Sequence, residues 1–219
     1  MSTYSDHDVT RRPSNIHHQV CNLAAAIVGW ILATISMDMA EWRDWSLSTP
    51  VSPSNLVYVG MWQVCFHHNI SRVWFCHHYT LHEHYLPLDI RVAQHLLVVA
   101  SLLGLLGKAS TIFIIRNLLK GNLQRNATRI ASVAAGSLHL AAGICTSATM
   151  VWNFSMVMKE EGISFPSDFQ LPFKPDAQRV GFASAVAFVA TLLLLMSGVS
   201  SLMSRFPHNS EVHPRVSDP

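Results

Sequence analysis

Four long apolar runs punctuate the chain, from about His18 to Met37, Val92 to Ile115, Ile130 to Val151 and Val180 to Met203. Each is close to the roughly 20 residues that a helix needs to cross a hydrocarbon layer of about 30 Å. Only helices and closed barrels satisfy their backbone polar groups in lipid, so the runs predict four spanning helices within a domain covering residues 18–205. They leave an arm at 1–17, a long gap at 38–91, a short second gap, a medium gap at 152–179 and a tail at 206–219. A cleaved signal peptide is the competing reading of the first run. That run is long for a signal's apolar core, and no small-x-small site follows before Trp42.

Inside the long gap the pattern changes. Asn55 to Cys65 is rich in β-branched and aromatic residues and reads as a strand; Arg72 to Cys76 reads as a second, with Asn69 as a turn residue between them. Cys65 and Cys76 can then face each other across a hairpin and are candidates for a disulfide. Such a bridge would contribute about 3 kcal/mol by the chain-entropy argument. A redox or metal pair would need closer spacing or a partner motif. Cys21 and Cys145 lie in apolar runs and read as buried thiols.

Composition agrees with a membrane solvent. Of 219 residues, 50% are hydrophobic and only 13% charged, which is too apolar for an ordinary soluble domain. The net charge of +2, with no basic-aromatic module, excludes nucleic acid as the expected partner. The placement of charge says more than its total. Arg116, Lys120, Arg125 and Arg129 crowd the short gap without an acid, and Arg11 and Arg12 precede the first run, so these regions and both termini are expected in the cytoplasm. The two longer gaps are expected outside the cell.

Small residues four apart, Ala25, Gly29 and Ala33 in the first run and Ser132 and Gly136 in the third, permit close helix contact and predict a packed bundle. His95 and His139 are expected to make interhelical hydrogen bonds, and Lys108 to snorkel to the cytoplasmic interface. Trp42, Trp45, Trp62 and Trp74 suit the membrane interface, with structural roles. No convergent nucleophile, base or metal set occurs in the runs, so the expectation is a protein that is not an enzyme and needs no cofactor and no resident metal.

Trp42, Gly60-Met61-Trp62, Cys65 and Cys76 resemble the Trp, Gly-Leu-Trp, Cys, Cys signature of the claudins, with Met for Leu. Related four-span families of the peripheral myelin and channel-auxiliary groups share that signature. Leu86-Pro87 with the following leucine-rich stretch, and the run Asp168-Phe169, Pro172, Pro175-Asp176-Ala177-Gln178-Arg179 in the second long loop, resemble claudins more specifically. The resemblance covers about Val20 to Arg205.

It implies a left-handed four-helix transmembrane bundle carrying a small antiparallel extracellular β-sheet pinned by one disulfide, Cys65–Cys76. It implies a tight-junction protein of the plasma membrane, associating with itself and other claudins in cis and in trans to form a paracellular barrier or ion pathway. Trp42, Gly60, Met61 and Trp62 would anchor the sheet, and Phe169 and Pro172 would lie in the second loop's contact region. An accessory subunit or membrane organiser is the alternative function.

Several positions depart from the family pattern. The Cys65–Cys76 hairpin is one residue longer, Gln94 stands where claudins place an arginine while Arg91 lies three residues earlier on the same helix face, and no cysteine pair follows the second or fourth span to be palmitoylated. The sequence ends Ser-Asp-Pro, so PDZ scaffold binding is not expected. His67, His68, His77, His78, His82 and His84 crowd the first loop. His77 and His78 are candidates for charge selectivity or pH sensing; a zinc set of His78, His82 and His84 and a merely solvated loop are the other readings. Of three glycosylation sequons, Asn126 falls in the short cytoplasmic gap and Asn153 against the third run, which leaves Asn69 as the candidate site.

Overall fold

The computed structural model describes residues 4–49, 52–67, 73–80, 83, 85–120 and 125–203. Among them are four helices long and apolar enough to cross a membrane: α1 (Tyr4–Asp38), α2 (Leu88–Lys120), α3 (Arg125–Met158) and α4 (Phe182–Met203). Two of the three connections carry strands. β1 (Arg43–Thr49), β2 (Ser52–Val59), β3 (Gln63–His67) and β4 (Trp74–His78) lie between α1 and α2, and β5 (Ala177–Val180) lies between α3 and α4. In an up-and-down bundle those connections share one end, so the strands gather there. They form one antiparallel sheet in the order β4-β3-β2-β1-β5.

The bundle closes through small residues. At Gly29 a Cβ would stand 3.0 Å from Leu193 Cβ, so α1 and α4 approach nearly backbone to backbone. Ala33 is buried in the same contact, beside Ala190 and Leu194. The Ser132 hydroxyl donates to Ser201 O at 2.8 Å and ties α3 to α4.

Asn55 to Cys65 is two strands and not one. Gly60 breaks it: its N–H donates to Gln63 O at 2.8 Å, and a Cβ there would meet Met39 O at 2.7 Å and Ala40 Cα at 2.8 Å. The chain leaving α1 therefore lies directly against a turn at Gly60-Met61-Trp62, which only a residue without a side chain allows. The second hairpin strand starts later than the sequence pattern indicates, at Trp74, and continues to His78. Cys65 and Cys76 are opposite one another in the β3–β4 register and form a disulfide.

Strand alternation splits the sheet into two faces. Trp45, Val57, Val59, Val64 and Phe66 point into a core shared with Ile90, Ala93 and Leu97 of α2 and Ala183 and Ala187 of α4. Tyr58, Cys65 and Trp74 alternate with them and face the other way. Sheet and bundle thus share one hydrophobic core.

Candidate functional site

The joint between sheet and bundle is built on Arg43, the first residue of β1 and only 2% exposed. Its guanidinium forms an ion pair with Asp89 in the first turn of α2 and donates from Nε to Asn153 Oδ1 of α3 at 2.7 Å. Asn153 Nδ2 donates in turn to Trp42 O at 3.2 Å and to Ser184 Oγ of α4 at 3.2 Å. Gly181 N–H reaches the same Trp42 carbonyl at 3.1 Å. One residue pair after α1 therefore fastens to the ends of the other three helices. A guanidinium suits this place because its planar fork serves two acceptors at once.

The signature residues cluster around that joint. Trp42 is fully buried, and its indole N–H donates to Ser36 O at the end of α1 at 2.7 Å. Met61 is buried, Trp62 half-buried, and Trp62 O accepts from Tyr79 N–H at 2.8 Å. Gln94 Nε2 donates to Met61 O at 2.8 Å, so the residue at the family's arginine position reaches the turn itself. Arg91, three residues earlier, has its Nε buried with no hydrogen-bond partner among the described residues. Trp42 and Trp45 are sealed inside the molecule and not at a lipid interface, because the sheet folds back over the bundle end and covers them.

The second loop is folded onto the first. Its run from Asp168 to Arg179 supplies a short 3-10 turn at Ser167–Phe169 and then β5, which pairs with β1 in the register Trp45↔Gln178. Phe169 is half-buried, with ring centroids 5.0 Å from His77 and 5.6 Å from Phe66. Pro172 is exposed, and so is Phe173, which sequence reading did not single out. Phe173 O accepts from Ile163 N–H at 2.9 Å, which holds that exposed ring at the closure of the loop.

Successive positions on β4 separate the two histidines. His77 lies between Phe169 and Glu83, with Nε2 3.7 Å from Glu83 Oε1, while His78 is exposed. Glu83 is oriented by Thr80 N–H at 2.9 Å. Nearby Tyr79 is held above the ordinary phenol range by burial, partly opposed by Arg43 and reinforced by Glu83, so it stays un-ionised. Asp44 is likewise held above the usual carboxylate range, by burial and then by Glu41. His68, Asn69, His82 and His84 lie outside the described residues. Among the described residues no three His, Cys, Asp or Glu side chains converge as metal ligands.

Polar groups in the spans depart from expectation. His139 is fully buried, with Nδ1 3.3 Å from Ser197 Oγ of α4. His95 instead faces outward, with no hydrogen bond among the described residues. Lys108 does not snorkel. It shares an inward stripe with Gly104, Gly107 and Thr111, and its ammonium sits over the Trp30 ring, 3.2 Å from the centroid. Gly107 makes room there, since a Cβ would stand 2.6 Å from the His139 ring. Cys21 is exposed and not buried, with Sγ 3.3 Å from His17 Nδ1. Burying an ammonium costs several kcal/mol, and a desolvated cation–π contact returns about 2 kcal/mol. Lys108→Met is therefore expected to raise the melting temperature of the purified protein; a fall of several degrees would show that the Trp30 contact outweighs desolvation.

Comparison with known proteins matches this architecture. The chain is 28% identical over 171 residues to Claudin-19 of Mus musculus, covering 76% of this chain and 74% of that protein. It is 23% identical over 188 residues to Claudin-4 of Canis lupus familiaris, covering 82% of each. The chain is claudin-like. Claudin-3 of Homo sapiens is 23% identical over 190 residues, covering 82% and 78%. No protein-family model matches the chain. The claudin-like part comprises a four-span bundle, a five-stranded sheet at one end and the Cys65–Cys76 disulfide.

Proposed function

We propose that this protein is a tight-junction-type cell–cell adhesion molecule that builds a paracellular barrier or ion pathway by associating with itself and with claudins, in cis and in trans. The observation carrying this reading is the joining of both longer connections into one disulfide-bonded sheet, clamped to a four-span bundle, in a claudin-like chain. A disulfide belongs on the oxidising side of a membrane, which favours the sheet outside the cell and both termini inside. The acid-free basic connection after α2 supports the same orientation. Phe169 and Pro172, with the exposed Phe173 beside them, offer the second loop's surface for contact across the intercellular gap.

Expression in cells that lack junctional strands tests the function. Freeze-fracture strands and enrichment at contacts between expressing cells are expected. Absence of both would favour an accessory or membrane-organising four-span protein, the reading to which the Asn69 sequon, in sequence between Cys65 and Cys76, lends itself.

The two histidines then have different duties. His77 has the Glu83 carboxylate beside it, whereas His78 is exposed and has no acidic partner among the described residues. Imidazoles titrate near neutrality. Dilution potentials across expressing monolayers are expected to shift toward anion preference between about pH 7.5 and 5.5. The shift should be lost in His78→Gln and kept in His77→Gln; the reverse pattern would assign it to His77.

A further inference from the structure

Lys108 is a buried charge with no acidic side chain to oppose it. The helices carry no Asp or Glu over residues 18–37, 90–158 and 182–203, so no carboxylate side chain lies within the apolar part of the bundle. Lys108 is nevertheless only 8% exposed. The Trp30 ring covers one side of its ammonium, and Nζ has no hydrogen-bond partner among the described residues. Charges removed from water in folded proteins are as a rule paired or coordinated, because an unopposed one is costly to hold.

A second unsatisfied group lies beside it. His139 is fully buried, and its Nε2 also has no hydrogen-bond partner among the described residues. The imidazole fits because Gly107 has no side chain: a Cβ there would stand 2.6 Å from Nε2. Lys108 is the next residue of α2, close enough for its charge to act on the ring. Across the ring, Nδ1 lies 3.3 Å from Ser197 Oγ of α4, and that hydroxyl is also 3.4 Å from Asn22 O of α1. The hydroxyl has one proton for two acceptors. Asn22 O already serves the helical ladder of α1, so donation to Nδ1 satisfies the group without another donor and leaves the imidazole proton on Nε2. Nζ of α2 and Nε2 of α3 are then two donors without an acceptor among the described residues.

We propose that Lys108 Nζ and His139 Nε2 bind one small inorganic anion of the halide type inside the bundle. One ammonium balances one negative charge, and two separate point donors suit a sphere; the planar fork that serves a phosphate or carboxylate is not offered here. The site lies about 21 Å along α3 from Asn153 at 1.5 Å per residue, toward the end of the bundle remote from the sheet. Bound there, the anion cancels the Lys108 charge and joins α2 to α3, while Trp30 and Ser197 tie the same layer to α1 and α4. The proposal is independent of the junction reading and of which end of the bundle faces the cytoplasm.

Melting of the full-length protein in an uncharged detergent, in sodium gluconate or sodium chloride at equal ionic strength, tests the site. Chloride is expected to raise the wild-type melting temperature by about 2–4 °C, along a curve that saturates with concentration. Lys108→Met, which should melt above wild type in gluconate, is expected to show no such rise. His139→Leu should weaken the apparent chloride affinity about tenfold, as loss of one donor to a charged acceptor does. A rise that grows without saturation, or one that Lys108→Met shares, would overturn the anion site; an unchanged affinity in His139→Leu would overturn the part assigned to His139. Nitrogen NMR of histidine-labelled wild-type protein gives a readout apart from stability. The His139 ring resonances should move when gluconate is exchanged for chloride and should report the proton on Nε2; unmoved resonances, or a proton on Nδ1, would refute the proposal.

Discussion

Replacing Arg43 with alanine is expected to destabilise the protein by about 3–5 kcal/mol, a large part of the 5–15 kcal/mol typical of folded domains. The Asp89 carboxylate, 8% exposed, would remain buried without its counter-charge, and Asn153 Oδ1 would lose its donor. Uncompensated burial outweighs the modest net value of the ion pair, so the effect should depend on what becomes of Asp89. Arg43→Met combined with Asp89→Leu removes both charges and should recover most of the stability. Arg43→Lys keeps the charge but loses the fork, and should fall between wild type and Arg43→Ala. Thermal unfolding of the detergent-purified proteins, followed by the monodisperse fraction after heating, measures all three. An Arg43→Ala protein melting within about 2 °C of wild type would mean that the joint does not hold the sheet to the bundle.

The bundle was legible because lipid leaves few alternatives: four apolar runs of sufficient length dictate four helices whatever their detailed sequence. Rotation about each helix axis was not legible, since a nearly all-apolar helix carries little signal for which face turns inward. Lys108 and His95 show the result. The charged residue faces Trp30 inside the bundle, and the imidazole faces outward. The sheet was half visible. β2 and β3 are rich in β-branched and aromatic residues, but Gly60 within them reveals a turn only when the chain leaving α1 is seen pressed against it. β5 reads Ala-Gln-Arg-Val and has no strand signal of its own; it is extended because β1 supplies its hydrogen-bonding partner. The joint was invisible for a related reason. Arg43, Asp89, Asn153 and Ser184 are far apart in sequence, belong to four elements, and converge only when the bundle has formed. Asn153 even carries a misleading local signal, a sequon whose asparagine is committed to three hydrogen bonds in the interior.

Trp42→Ala should have an effect as large as Arg43→Ala, by a different mechanism. Truncating a fully buried tryptophan removes its apolar burial and leaves a cavity, together about 3–5 kcal/mol. The backbone carbonyl of residue 42, which accepts from Asn153, Ser184 and Gly181, survives the change. Volume and hydrogen bond are separated by Trp42→Phe, which fills most of the space but loses the indole donor to Ser36 O. That variant should lose about 1–3 kcal/mol, since a buried carbonyl at the end of α1 is left short of a partner. The outer hairpin reports how far the damage spreads. β3 and β4 are held together by their own ladder and by the Cys65–Cys76 bridge, at the edge of the sheet remote from β1. Trp42→Ala protein is therefore expected to retain the oxidised bridge while exposing the interior around Trp45 and Met61. Alkylation of free thiols with a mass-tagged maleimide, before and after reduction, distinguishes the outcomes: a bridge absent from the variant would show that hairpin oxidation requires the sheet to be anchored first.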